Sequence, residues 1–149
     1  MSYEVRTHSG LHVVKGAVQR VLGTKWTAST YVNDNHGRLV VQFDRKPTQE
    51  ELQKIEQEAN HKVSEGAEIM EFEMERQEAE NHFGNQIYDL FPIPPSITRL
   101  KLVRIPEWNV NCCVERHLET TSAIGTIKIE RIRFRNSRKE LELEFRVSD

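Results

Sequence analysis

The sequence predicts an α+β fold: an antiparallel sheet packed against a few helices, in a single domain spanning residues 1–149. Three observations predict it. Apolar residues recur at helical spacing in two early segments, through Leu11, Val14, Val18, Val21 and Leu22, then through Leu52, Ile55, Ala59 and Val63. In the last segment Leu141, Leu143, Phe145 and Val147 alternate with charged residues, as in a half-buried antiparallel strand. The helical segments are set apart from the strand segments, as in α+β domains.

Taken in order, Thr7 is placed to cap a first helix running to about Leu22, with Gly23 ending it. Residues 26–33 and 38–44 read as strands joined by the turn-rich run Asn33-Asp34-Asn35-His36-Gly37. Pro47-Thr48-Gln49-Glu50-Glu51 is a capping box opening the second helix, and Gly66 marks its end. Residues 67–74 read as a strand, and Arg76 to about Phe83 as a short helix closed by Gly84. Pro92, Pro94 and Pro95 make a rigid loop that is neither helix nor central strand. Strands follow at 98–105, 108–113, about 126–135 and 140–147, the last two forming a hairpin across Asn136-Ser137-Arg138-Lys139. Within 126–135 the apolar parity switches between Ile127/Ile129 and Ile132/Phe134, which a bulge near Glu130 reconciles. Beyond that bulge Arg131, Arg133 and Arg135 project outward from one face.

A chain of 149 residues can bury a core of its own, and 37% hydrophobic with 30% charged residues describes a soluble globular protein. No stretch approaches the roughly 20 apolar residues of a membrane span. The opening Met-Ser-Tyr-Glu-Val-Arg-Thr-His has no apolar signal core. The two cysteines, Cys112 and Cys113, are neighbours and form no disulfide framework. A cytoplasmic location is expected, with neither a membrane nor an obligate protein partner.

The net charge of −2 hides an asymmetry. Residues 50–80 carry eleven acidic residues against Lys54, Lys62 and Arg76, whereas 126–139 carry Lys128, Arg131, Arg133, Arg135, Arg138 and Lys139 against Glu130. A basic end suits an anionic polymer, although ordinary solvated faces explain both runs equally well.

Two residue pairs carry the chemistry. His8 and His12 stand four apart on the first helix, so both imidazoles share a face and converge from successive turns. Near the end, Cys113-Val114-Glu115-Arg116-His117 pairs a thiol with an imidazole at the same separation. Three imidazoles and one thiolate complete a tetrahedral zinc shell. Spacing alone leaves Cys112 and Cys113 as alternatives, because neighbours in a strand point to opposite sides. The zinc-peptidase motif also sets two histidines four apart, but it needs a Glu after the first as general base, and Ser9 stands there.

Arg6-Thr7-His8-Ser9-Gly10-Leu11-His12, then Cys113-Val114-Glu115-Arg116-His117, then Thr121 and Ile124-Gly125, resemble the zinc-dependent editing domain of alanyl- and threonyl-tRNA synthetases. The resemblance is strongest to the small, freestanding AlaX-type alanyl-tRNA editing proteins of archaea. It extends through His12–Val18, Phe43–Pro47, Tyr88–Pro92 and Trp108–Asn111. It implies one Zn2+ per chain on His8, His12, Cys113 and His117, with Cys113 rather than Cys112 as ligand. It further implies an aminoacyl-tRNA deacylase that hydrolyses the ester of alanine tRNA mischarged with serine, with glycine as a second candidate. Synthetase-embedded relatives carry two glycines and a threonine between the cysteine and histidine. Val114-Glu115-Arg116 departs from that, so their substrate contacts are not carried over.

Sparing alanine while cutting serine requires a partner for the seryl hydroxyl. By the same resemblance Thr27 is the first candidate, with Thr30 and Thr121 behind it, although a threonine in a strand is also simply a good strand former. Lys15 and Arg116, near the ligands, are candidates for the terminal nucleotide of the acceptor end. Arg131, Arg133, Arg135, Arg138 and Lys139 are candidates for phosphates of the acceptor stem. The catalytic base is unassigned. Two rival readings use the same residues: a zinc-stabilised RNA-binding module without turnover, and a zinc hydrolase of some other small ester or amide.

Overall fold

The computed structural model describes residues 3–149. The first helix, α1, spans Tyr3–Leu22, and Gly23 ends it with φ +71°. A tight hairpin follows, β1 (Thr27–Asn33) and β2 (His36–Gln42), turning on Asp34 and Asn35. His36 and Gly37 therefore belong to the second strand rather than to the loop. Next come α2 (Gln49–Ser64), β3 (Met70–Glu75) and α3 (Arg76–Phe83). Then β4 (Arg99–Ile105), β5 (Asn109–Cys112), β6 (Thr126–Arg135) and β7 (Glu140–Ser148) complete the chain.

The α+β class holds, with one refinement: the strands form two antiparallel sheets. One has four strands in the order β1-β2-β7-β6 and the other has three in the order β3-β4-β5. Helix α1 lies on the four-stranded sheet, burying Leu11, Val13, Val14, Ala17 and Val18 among Leu39, Val41, Leu141, Leu143, Phe145 and Val147. Each large side chain so buried contributes about 1.5–3 kcal/mol. A second, smaller core of Ala79, Ile87, Leu100, Leu102 and Val110 sits against the three-stranded sheet.

The expected bulge is present, as a register shift between Ile129 and Arg131. The capping box is also present: the Thr48 hydroxyl accepts from Glu51 N at 3.1 Å, and the Glu51 carboxylate accepts from Thr48 N at 2.9 Å.

The start of α1 differs from expectation. Thr7 is not a cap but lies inside the helix, fully buried, with its hydroxyl 2.8 Å from Tyr3 O and 2.7 Å from Asp34 O. A threonine hydroxyl bonds the preceding turn as readily as it caps, so its presence did not fix the helix start.

Trp108, just before β5, and Asn109, its first residue, set α1 against the three-stranded sheet. Trp108 Nε1 donates to Val13 O at 3.1 Å, and Asn109 Nδ2 donates to His12 O at 2.8 Å. The indole lies so close to Gly16 that a Cβ there would sit 2.1 Å from Trp108 Nε1. Only glycine lets the two elements meet at this distance.

Candidate metal centre and its cavity

His12 faces the end of β5 from the middle of α1, and Cys113 follows β5, with its backbone N–H donating to Lys101 O. Ligand atoms of His12, Cys113 and His117 all lie within 4.8 Å of one another. Cys113 Sγ is 3.5 Å from His117 Nε2, and the His12 and His117 ring centroids are 4.8 Å apart. Cys113, not Cys112, joins this cluster. His8 stands one turn before His12, its ring centroid 6.4 Å from that of His117.

The donors suit a metal. Both ring nitrogens of His12, and Nδ1 of His8, are buried with no hydrogen-bond partner. Burial, then the nearby His117, Lys15 and His8, holds the His12 pKa well below the ordinary histidine value, so the ring is neutral and able to ligate. Burial likewise lowers His8, against opposing Glu115 and Glu4. Burial raises the Cys113 thiol, so ligation as thiolate requires a cation and releases a proton.

The second layer was not foreseen. Glu71 Oε2 accepts from His117 Nδ1 at 2.8 Å, which leaves Nε2 as the nitrogen facing Cys113. Burial would push Glu71 up, but the His117 bond and Lys101 outweigh it and hold the carboxyl below its ordinary value. Ser9, the residue that excluded the peptidase motif, is fully buried; its hydroxyl donates to Val5 O and accepts from Leu118 N at 2.9 Å. It thereby ties the His117 loop to the ligand helix.

A cavity of about 620 Å3 opens beside the cluster, lined among others by His8, His12, Lys15, Asn111, Cys112 and Cys113. Lys15 Nζ and Asp89 Oδ1 meet in it at 2.9 Å, with side chains 7% and 11% exposed. Phe91, Ile93 and Ile97 add an apolar lining, with Arg99 and Lys101 alongside. Phe91 and Ile97 are 47% and 43% exposed.

Thr30 lines this cavity. Thr27 does not, but it is buried with an unpartnered hydroxyl, and its carbonyl accepts from Leu90 N, next to Asp89. Thr121 lies elsewhere, its hydroxyl donating to Lys62 O and accepting from Ala67 N. Arg116 is exposed and outside the lining.

On the outer face of the four-stranded sheet Arg131, Arg133 and Arg135 stand opposite Glu144, Glu142 and Glu140. Arg131 lies 3.8 Å from Glu144, and Arg135 lies 3.6 Å from Glu142. The expected basic face is therefore half of a ladder of opposite charges. Arg138 and Lys139 occupy the β6–β7 turn, where Lys139 bonds Asn136.

No family model matches the chain. Among curated proteins it is similar to the alanine–tRNA ligase of Methanopyrus kandleri, 34% identical over 97% of this chain and 17% of the relative. The ligases of Thermococcus kodakarensis and Pyrococcus abyssi are 36% and 35% identical, each over 85% of this chain and 14% of their own length. The chain is homologous to one segment of the alanine–tRNA ligases. It spans 14–17% of the length of those relatives, and this homology agrees with the alanyl-tRNA editing resemblance read from the motifs. Among the described residues no helix is long and apolar enough to cross a membrane.

Proposed function

We propose that this chain is a zinc-dependent hydrolase that edits in trans, deacylating alanine tRNA mischarged with serine, and with glycine as a second candidate. The observation that carries the reading is a His12–Cys113–His117 cluster opening on a cavity, in a chain homologous to a ligase that handles this tRNA. His12, Cys113 and His117 would hold one zinc ion, with His8 as the fourth donor. When bound, zinc supplies a Lewis acid and a water whose pKa falls towards about 7.

The remaining work falls to the chain. Glu71 fixes the His117 tautomer, and Ser9 and Asn109 hold the two ligand-bearing segments in register. The exposed Phe91 and Ile97, with Arg99 and Lys101 beside them, suit an unpaired 3′ end, which binds through stacking and phosphate contacts. Lys15 serves the terminal nucleotide only if its pairing with Asp89 opens, whereas Arg116 is free to reach it from outside. Arg131, Arg133, Arg135, Arg138 and Lys139 remain candidates for the acceptor stem, the first and third at the cost of their glutamate partners. Thr27 is the proposed partner of the seryl hydroxyl; its buried, orphaned hydroxyl supports this, although it stands outside the cavity lining. The reaction would take place in the cytoplasm.

A zinc-stabilised RNA-binding module is the second reading, favoured by the nearness of His8, which would close the shell against substrate. Deacylation of seryl-, glycyl- and alanyl-charged alanine tRNA, with and without chelator, separates the two. Metal-dependent loss of serine with alanine spared supports the hydrolase; binding without release supports the module.

A further inference from the structure

Unpartnered polar atoms are costly inside a folded chain, so where they collect is informative. Among the described residues they belong to His8, His12, Thr27, Asn109 and Asn111. A bound metal would take one ring nitrogen of each histidine. Asn109 already donates from Nδ2 to His12 O. Of the two asparagines, Asn111 has a partner at neither Nδ2 nor Oδ1; it is 2% exposed and lines the cavity.

Its position follows from the strand. Along β5 the side chains of Asn109 and Asn111 share one face, while Val110 and Cys112 turn to the smaller core. The ladder runs one bond further, through Cys113 N to Lys101 O, so Cys113 follows Asn111 on the same face. A carboxamide thus stands two residues from a metal-cluster thiol, in the same cavity.

Asn60 shows what a structural asparagine does in this fold. Its Nδ2 donates to Glu56 O and Ile127 O, and its Oδ1 accepts from Ile127 N, so both ends are used. Asn111 does none of this, and a leucine would fill its place without an orphaned group.

We propose that Asn111 is a substrate-binding residue, its carboxamide held for the aminoacyl end. Nδ2 donates to the ester carbonyl oxygen, and Oδ1 accepts from the α-ammonium. A neutral group that both donates and accepts suits an aminoacyl ester, which offers one acceptor and one donor there. The charged pair in the cavity is already committed, Lys15 to Asp89. This assignment rests on the deacylase reading.

The test uses the zinc-loaded protein and three readouts. Asn111→Leu is expected to melt no lower than the wild type and to keep its zinc, while kcat/KM on seryl-charged alanine tRNA falls about a hundredfold. Asn111→Ala serves if leucine does not fit. In the wild type the Asn111 side-chain amide resonances should shift when L-serinamide is added, since that probe carries both an α-ammonium and a carbonyl. Full activity in Asn111→Leu, activity lost only in proportion to lost folding, or unmoved resonances would overturn the assignment. A wild type that leaves seryl-tRNA intact sinks the deacylase reading instead, and the serinamide shift then still decides whether Asn111 contacts an aminoacyl group.

Discussion

Replacing Ser9 by alanine should loosen both the fold and the metal site. The side chain is fully buried and holds two bonds, to Val5 O at 2.8 Å and from Leu118 N at 2.9 Å. The first costs little, because Val5 O also lies where the α-helical ladder bonds it. The second matters more: Ser9→Ala leaves the Leu118 N–H buried without an acceptor, a loss of about 1–3 kcal/mol. For a chain of this size about 2 kcal/mol lowers the melting temperature by roughly 4–8 °C. Leu118 adjoins His117, so metal affinity should fall as well, by about 10–100-fold, as when supporting residues around a metal are removed. Thermal unfolding of the metal-free protein and zinc competition against a chromophoric chelator measure the two effects separately. If Ser9→Ala melts within about one degree of the wild type and binds zinc as tightly, the claim that this hydroxyl tethers the His117 loop is wrong.

Two further perturbations test other parts of the structure. Cys113→Ala should abolish stoichiometric zinc binding and deacylation, while Cys112→Ala should spare both; metal analysis of the purified variants checks this, and the reverse pattern would reassign the ligand. Bonds from Arg45 and the cap depress the Glu51 carboxyl to about 2 from an ordinary 4.5, so its contribution is present above about pH 4.5 and lost as pH falls towards 2. Glu51→Gln should accordingly lower the melting temperature at pH 7, with the gap closing between pH 4.5 and 2; a gap constant with pH would contradict it.

Where local chemistry decides, the sequence was readable. The capping box at Thr48 and Glu51, the helix from Arg76 to Phe83 and the bulge beside Glu130 all follow from residues within a few positions of one another. Spacing also brought out His12 and His117, and the motif resemblance chose Cys113. What escaped depends on pairing between distant segments. Nothing near Met70 or Arg99 says that β3, β4 and β5 separate into a second sheet. Glu71 and Asp89 gain their roles from partners 46 and 74 residues away. The arginines of β6 looked like a free basic face because they were read without the register that sets Glu140, Glu142 and Glu144 against them. The alternating Glu140, Glu142 and Glu144 stand in the β7 segment itself, at the same period as the arginines they face. Asn111 lies in a stretch that shares the family resemblance, but the sequence attaches no role to it; its burial without a partner is what marks it.

The central claim is that a metal held by the His12–Cys113–His117 cluster makes this cavity a deacylase. Zinc titrated into metal-free protein, with serine release from seryl-charged alanine tRNA followed at each addition, tests it most directly. Activity should rise from near zero and reach its plateau at one equivalent of zinc per chain. Full activity before zinc is added, or none at one bound equivalent, would contradict the claim.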